Sequence, residues 1–233
     1  NLTLSKTNLE PALTRISETR LPTVFHIDET PEVLNEIIKL SDKLNARAHI
    51  AHVSISATLN ALENSELTYE VTPHHIMFDE TNVKKIRNLN MNPPMESKIN
   101  RISLLNALKN NSVDMLATDH APHTLEDKEI GAKGVPALDV FGNIVSWLIK
   151  ELKLDPVYVA RITSFNASKL FNLRGRGEIK KGVKADISII KFESEKINSE
   201  DHFTKCGWSP YEGMEFPGRI ETTIYNGKIV YRK

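Results

Sequence analysis

The chain has 233 residues and 26.3 kDa, and its 40% hydrophobic and 26% charged content is that of a globular protein, not of a fibrous or disordered one. Thirty Lys+Arg balance thirty Asp+Glu, and a pI near 7.3 removes the electrostatic case for a nucleic-acid or membrane-surface partner. Apolar runs are too short to span a bilayer, and the opening Asn1-Leu2-Thr3-Leu4-Ser5-Lys6 lacks the pattern of a secretory leader. A lone Cys206 forms neither an intrachain disulfide nor a zinc finger, so a cytoplasmic location is expected.

Along the chain, a helical stretch at 9–18 precedes a strand at 23–27. A helix follows at 31–45, with Val33, Ile37, Leu40 and Leu44 on one face, Thr30 as N-cap and Pro31 at the first helical position. Further strands are expected at 48–54, 67–72 and 114–119, with helices near 57–63 and 99–108 between them. Strands alternating with helices predict parallel βα units, either a barrel or a doubly wound sheet. Beyond about residue 170 glycines punctuate the chain. A strand at 185–190 and a hairpin over 220–231, turning at Asn226-Gly227, predict a small β layer. The expected division is 1–172 and 173–233, with no internal repeat.

Histidines and a carboxylate recur where strands end: His26 closes the first, His52 the second, and Asp119-His120 the fourth. In a barrel of βα units those ends converge on one face. Imidazole and carboxylate suit a divalent metal such as zinc, and an ionised Asp beside a metal also accepts a proton. Any one of these histidines alone reads as readily as packing, and His123 as a solvated loop residue.

Taken in order, Phe25-His26-Ile27-Asp28-Glu29, Ala51-His52-Val53-Ser54, Tyr69-Glu70-Val71-Thr72-Pro73-His74-His75 and Asn92-Pro93-Pro94 lead to Ala117-Thr118-Asp119-His120-Ala121-Pro122-His123. With Gly134-Val135-Pro136-Ala137 and Trp208-Ser209-Pro210-Tyr211-Glu212-Gly213, the series resembles the C-terminal half of a class I dihydroorotase of the amidohydrolase superfamily. The resemblance implies half of a (β/α)8 TIM-type barrel, strands five to eight, followed by part of a small β domain. It implies zinc, binuclear in the complete enzyme, with His26 and His52 as ligands of one metal and Asp119 as ligand of the other. Asp119 would take up a proton in hydrolysis and return it in ring closure, as N-carbamoyl-aspartate and dihydroorotate interconvert in pyrimidine synthesis. Asn92, His123 and the backbone at Pro136 and Ala137 would hold the substrate. Glu70 and His75 match positions of a further metal contact, or else are hydrogen-bonded packing.

Departures from the family pattern are specific. No His-x-His precedes His26, no strand-ending lysine appears, and Lys6 precedes a helix instead of ending a strand. Met95-Glu96 follow the Pro pair where a basic residue is common, Ala137 stands in place of glycine, and Asn166-Ala167 in place of Asn-Pro. The expected partners are therefore a small-molecule substrate and an N-terminal barrel half or a second copy, with aspartate transcarbamoylase as a further candidate. Another cyclic amidohydrolase, of allantoinase or hydantoinase type, and an inactive assembly partner are the alternatives.

Overall fold

The computed structural model describes residues 6–27 and 31–233. Thr30, expected to cap a helix, lies outside them, as do Asp28 and Glu29. The first layer runs α1 (Lys6–Ser17), β1 (Thr23–Phe25), α2 (Pro31–Leu44), β2 (Ala48–Ile50), α3 (Ser56–Leu62) and β3 (Thr68–Val71). It continues with α4 (Pro73–Met77), α5 (Glu80–Val83), α6 (Lys98–Lys109), β4 (Met115–Leu116), α7 (Leu125–Glu129) and α8 (Phe141–Lys150). A last rod joins α9 (Pro156–Ala160), a π turn (Arg161–Phe165) and α10 (Asn166–Leu170).

The four strands form one parallel sheet in the order β1-β2-β3-β4. Every connection carries helix, as parallel pairing demands. One sheet face holds Phe25, Ile50, Tyr69, Val71 and Leu116, which pack on the helices together with Leu34, Ile37 and Leu40 of α2. The apolar stripe of α2 is centred on Leu34, Ile37 and Ser41; Val33 and Leu44 flank it half-buried instead of leading it. The other face carries His49 in register with Thr68, and Glu70 in register with Met115. His49 is 1% exposed, and its ring nitrogens meet Thr68 Oγ1 at 2.9 Å and Glu70 Oε2 at 3.1 Å. Its neighbour in the register, Val24 on β1, is exposed at 38%.

All four strands are shorter than the alternation suggests. Asp114 Oδ2 accepts the Tyr69 N–H at 3.0 Å, so a side chain replaces the first rung of β4. At the other ends, His52 (φ 40°) and Asp119 (φ 43°) sit in the left-handed region and break the extended run. Asn166 Nδ2 to Asp114 O (2.7 Å) and Tyr158 Oη to Val113 O (3.1 Å) anchor the entry to β4 on the last helical rod.

The second layer is β5 (Ile187–Lys191), β6 (Glu195–Lys196), a 3-10 turn (Ser199–Asp201), β7 (Glu215–Phe216), β8 (Arg219–Tyr225) and β9 (Lys228–Arg232). Strands β5, β8 and β9 form an antiparallel sheet in the order β5-β8-β9, and β6 pairs with β7. Asn226 and Gly227 both have positive φ (49° and 77°), the two left-handed residues a tight hairpin turn needs. This layer sits on α8. A Cβ on Gly142 would lie 2.3 Å from Ile220 Cγ1, so glycine lets helix and strand approach. The loop before β7 drives Tyr211, fully buried, against Phe78 and Phe216, where its hydroxyl meets His74 Nδ1 at 2.9 Å. None of the helices is long and apolar enough to cross a membrane, among the described residues.

Candidate active site

Past the strand ends the ladder persists in single bonds. Ala51 N donates to Phe25 O (2.9 Å), Val53 N to Glu70 O (2.8 Å) and Ala117 N to Val71 O (3.1 Å). These bonds hold His26, His52 and Asp119 at one level, at the same end of β1, β2 and β4. His26 Nδ1 and His52 Nε2 face each other at 2.7 Å, with ring centroids 4.8 Å apart. His26 is exposed, His52 buried and Asp119 half-buried.

Burial chiefly lowers the His52 pKa, and Asp119 and His26 are the largest charges acting on it. Burial chiefly raises the Asp119 carboxyl and the charge of Glu70 adds to it, against the opposing fields of His52 and His26. The three expected residues and Glu70 therefore share one electrostatic environment. The His52 nitrogen on the His26 side is Nε2; its Nδ1, on the other side of the ring, is buried with no hydrogen-bond partner among the described residues. The donor types fit a divalent metal; the donor number does not complete a site, because no group of three His, Cys, Asp or Glu placed to hold an ion occurs among the described residues.

Three further histidines, His74, His75 and His120, are held by neutral partners. His74 Nε2 donates to Thr118 O (3.0 Å) and its Nδ1 accepts from Tyr211. His75 Nε2 donates towards Pro93 O and Pro94 O, each at 3.2 Å, and its Nδ1 faces Thr72 Oγ1 at 2.8 Å. Both rings are buried, and both nitrogens of His75 are engaged by packing partners, so the packing alternative describes it. His120 Nδ1 accepts the N–H groups of Ala137 and Leu138, each at 3.1 Å. That engages the Ala137 amide, one of the expected substrate contacts, inside the protein; Pro136 beside it is buried and has no N–H. Asn92 is exposed, and His123 is half-buried.

Composition and spacing leave Lys128 unnoticed. It lies in α7, a five-residue helix with a Thr124–Asp127 capping box that the sequence displays as Thr-x-x-Asp. A cleft of about 740 Å³ opens at the opposite end of the sheet, where β2, β3 and β4 begin, and none of His26, His52 or Asp119 lines it.

The sequence profile described as "Amidohydrolase family" matches residues 8–230. The chain belongs to the amidohydrolase family. It is 35% identical over 205 residues to a dihydroorotase of Clostridium botulinum, covering 85% of this chain and 50% of that protein. To a dihydroorotase of Pyrococcus abyssi it is 33% identical over 213 residues, covering 90% of this chain and 51% of the relative. The chain thus spans about half the length of these curated relatives. Among solved structures, an L-hydantoinase (dihydropyrimidinase) from Arthrobacter aurescens superposes with a TM-score of 0.89 at 19% identity, over 100% of this chain and 62% of that one. A dihydropyrimidinase from Brevibacillus agri superposes at 0.88 with 22% identity, over 99% and 61%. These superpositions establish the amidohydrolase fold, with its parallel sheet and helical connections.

Proposed function

We propose that this chain is the C-terminal half of a (β/α)8 barrel, its strands equivalent to barrel strands five to eight, and that the whole protein is a dihydroorotase. The observation that carries the reading is the meeting of His26, His52 and Asp119 at one end of a four-stranded parallel sheet, the end where barrel enzymes build their sites. The outer sides of β1 and β4 favour completion of the barrel by an N-terminal half or by a second copy, because β1 pairs only with β2 and β4 only with β3 among the described strands. That half would supply the missing donors of a binuclear zinc centre. Zinc, when bound, lowers the pKa of its water to about 7 and polarises a carbonyl.

This chain's residues then have separate tasks. His26 and His52 offer imidazole nitrogens as ligands. Asp119 takes the proton of the attacking water and delivers it to the ring nitrogen as the amide C–N bond breaks; ring closure reverses both transfers and releases water. Asn92 and His123 face the substrate's carboxylate and ring edge from the loops after β3 and β4. The reaction serves pyrimidine synthesis.

The likeness in fold to hydantoinases favours a second reading, in which the ring is a hydantoin. Turnover of dihydroorotate, hydantoin and allantoin by the full-length gene product separates the two. The dihydroorotase reading expects kcat/KM for dihydroorotate to exceed the others by at least about 100-fold, within the range a site built to hydrogen-bond its substrate achieves. Preference for hydantoin or allantoin overturns it.

A further inference from the structure

Lys128 is 5% exposed, rare for a lysine, and its ammonium forms no ion pair among the described residues. Its ammonium donates to Asn90 O at 2.8 Å and Gly134 O at 2.9 Å, and lies 5.6 Å from the centre of the Trp208 ring. Trp208 in turn donates its indole N–H to His123 O at 2.8 Å. Further bonds join the same segments: Gly134 N to Asn90 O (3.0 Å) and Ala121 N to Val135 O (3.0 Å), beside a parallel bridge of His120 with Val135. Gly134 (φ 129°) presses so closely on the next loop that a Cβ there would lie 2.5 Å from Ala121 Cβ.

We propose that Lys128 is a positioning residue, its buried ammonium clamping the loops at 88–94, 120–124 and 131–137 into one plate at the end of β4. On the dihydroorotase reading, that plate fixes where Asn92 and His123 meet the substrate. An ammonium suits the task because it carries three donors and no acceptor, and can gather carbonyls from several loops at once. A methionine of similar length would fill the space yet leave both carbonyls without this donor.

Amide hydrogen exchange on the full 233-residue chain tests the proposal without any requirement for turnover, so failure of the dihydroorotase reading leaves the test intact. In Lys128→Met the Gly134 and Ala121 amides are expected to exchange at least about tenfold faster, while Val53, bonded across β2 and β3, keeps its protection. The matching rescue uses Lys128→Cys in a Cys206→Ser background. Aminoethylation of the new thiol restores an ammonium at nearly the lysine length and is expected to restore protection. Unchanged exchange at Gly134 and Ala121 overturns the proposal. So does an equal loss at Val53, which makes Lys128 a global stability residue, or aminoethylation that fails to slow exchange.

Discussion

Asp119→Asn is expected to lower dihydroorotate turnover by two or more orders of magnitude while the protein melts as before. General-base action alone contributes about 10²–10⁴ in rate, and an amide has no basic site to take its place. The fold should survive for two reasons. Asp119 occupies the left-handed region at φ 43°, where asparagine is among the most tolerated residues. Burial also already disfavours its charged form, so a neutral amide of the same shape removes a desolvation cost. His202→Asn, far along the chain beside the 3-10 turn, is the matched control and should leave turnover nearly unchanged. Near-normal hydrolysis by Asp119→Asn, measured beside an unchanged melting curve, would assign the base elsewhere.

Folding stability is expected to fall steeply as the pH drops from 6.5 to 5. Burial is the main cause that pushes His74 down to about 3 and His75 down to about 4, and it lowers His52 in the same direction. An unfolded histidine takes up its proton near pH 6.5, whereas the folded rings stay neutral until well below pH 5. The unfolded state therefore binds more protons across this window, and stability rises with pH through it. Full stabilisation is present above pH 6.5 and is lost as the pH approaches the folded values. Each ring contributes roughly 1.5 kcal/mol between pH 6.5 and 5, so His74 and His75 together remove about 3 of the roughly 5–15 kcal/mol that hold a domain. Hydrogen bonding reinforces the effect, since the acceptor nitrogen of His74 faces the Tyr211 hydroxyl inside a fully buried cluster. Urea unfolding at pH 7.5, 6 and 5 measures the slope. A flat profile would mean that these rings are solvated or already charged in the folded protein.

Much of the candidate site's geometry was legible because strand-ending residues announce themselves. An apolar run that closes on histidine or aspartate three times, with helical periodicity between, predicted that His26, His52 and Asp119 gather at one end, and the fold brings them there. The strand lengths were not legible. His52 and Asp119 look like the last beads of an extended run, and nothing in their identity reveals a left-handed backbone. Asp114, which begins the fourth run, gives its side chain to the Tyr69 N–H and leaves β4 two residues long. Lys128 was hidden for a different reason. Lysine is read as solvated by default, and only the convergence of Asn90, Gly134 and Trp208, up to 80 residues away in sequence, makes its burial tolerable. Periodicity also fails for α4, α5 and α7, which are shorter than two turns and defined by their caps, as Thr72, Asp79 and Thr124 show.

The central claim, that His26 and His52 face a shared ion at the end of the sheet, is tested most directly by zinc titration of this chain with the imidazole resonances followed by NMR. Two histidines and one carboxylate are fewer donors than a closed zinc site uses, so binding should be weak, in fast exchange and reversed by dialysis. The account predicts that His26 and His52 shift together on a single binding curve, while the buried His74 and His75, engaged by Thr118, Tyr211 and the Pro93–Pro94 carbonyls, do not move. Zinc that shifts other histidines and leaves His26 and His52 in place would contradict it.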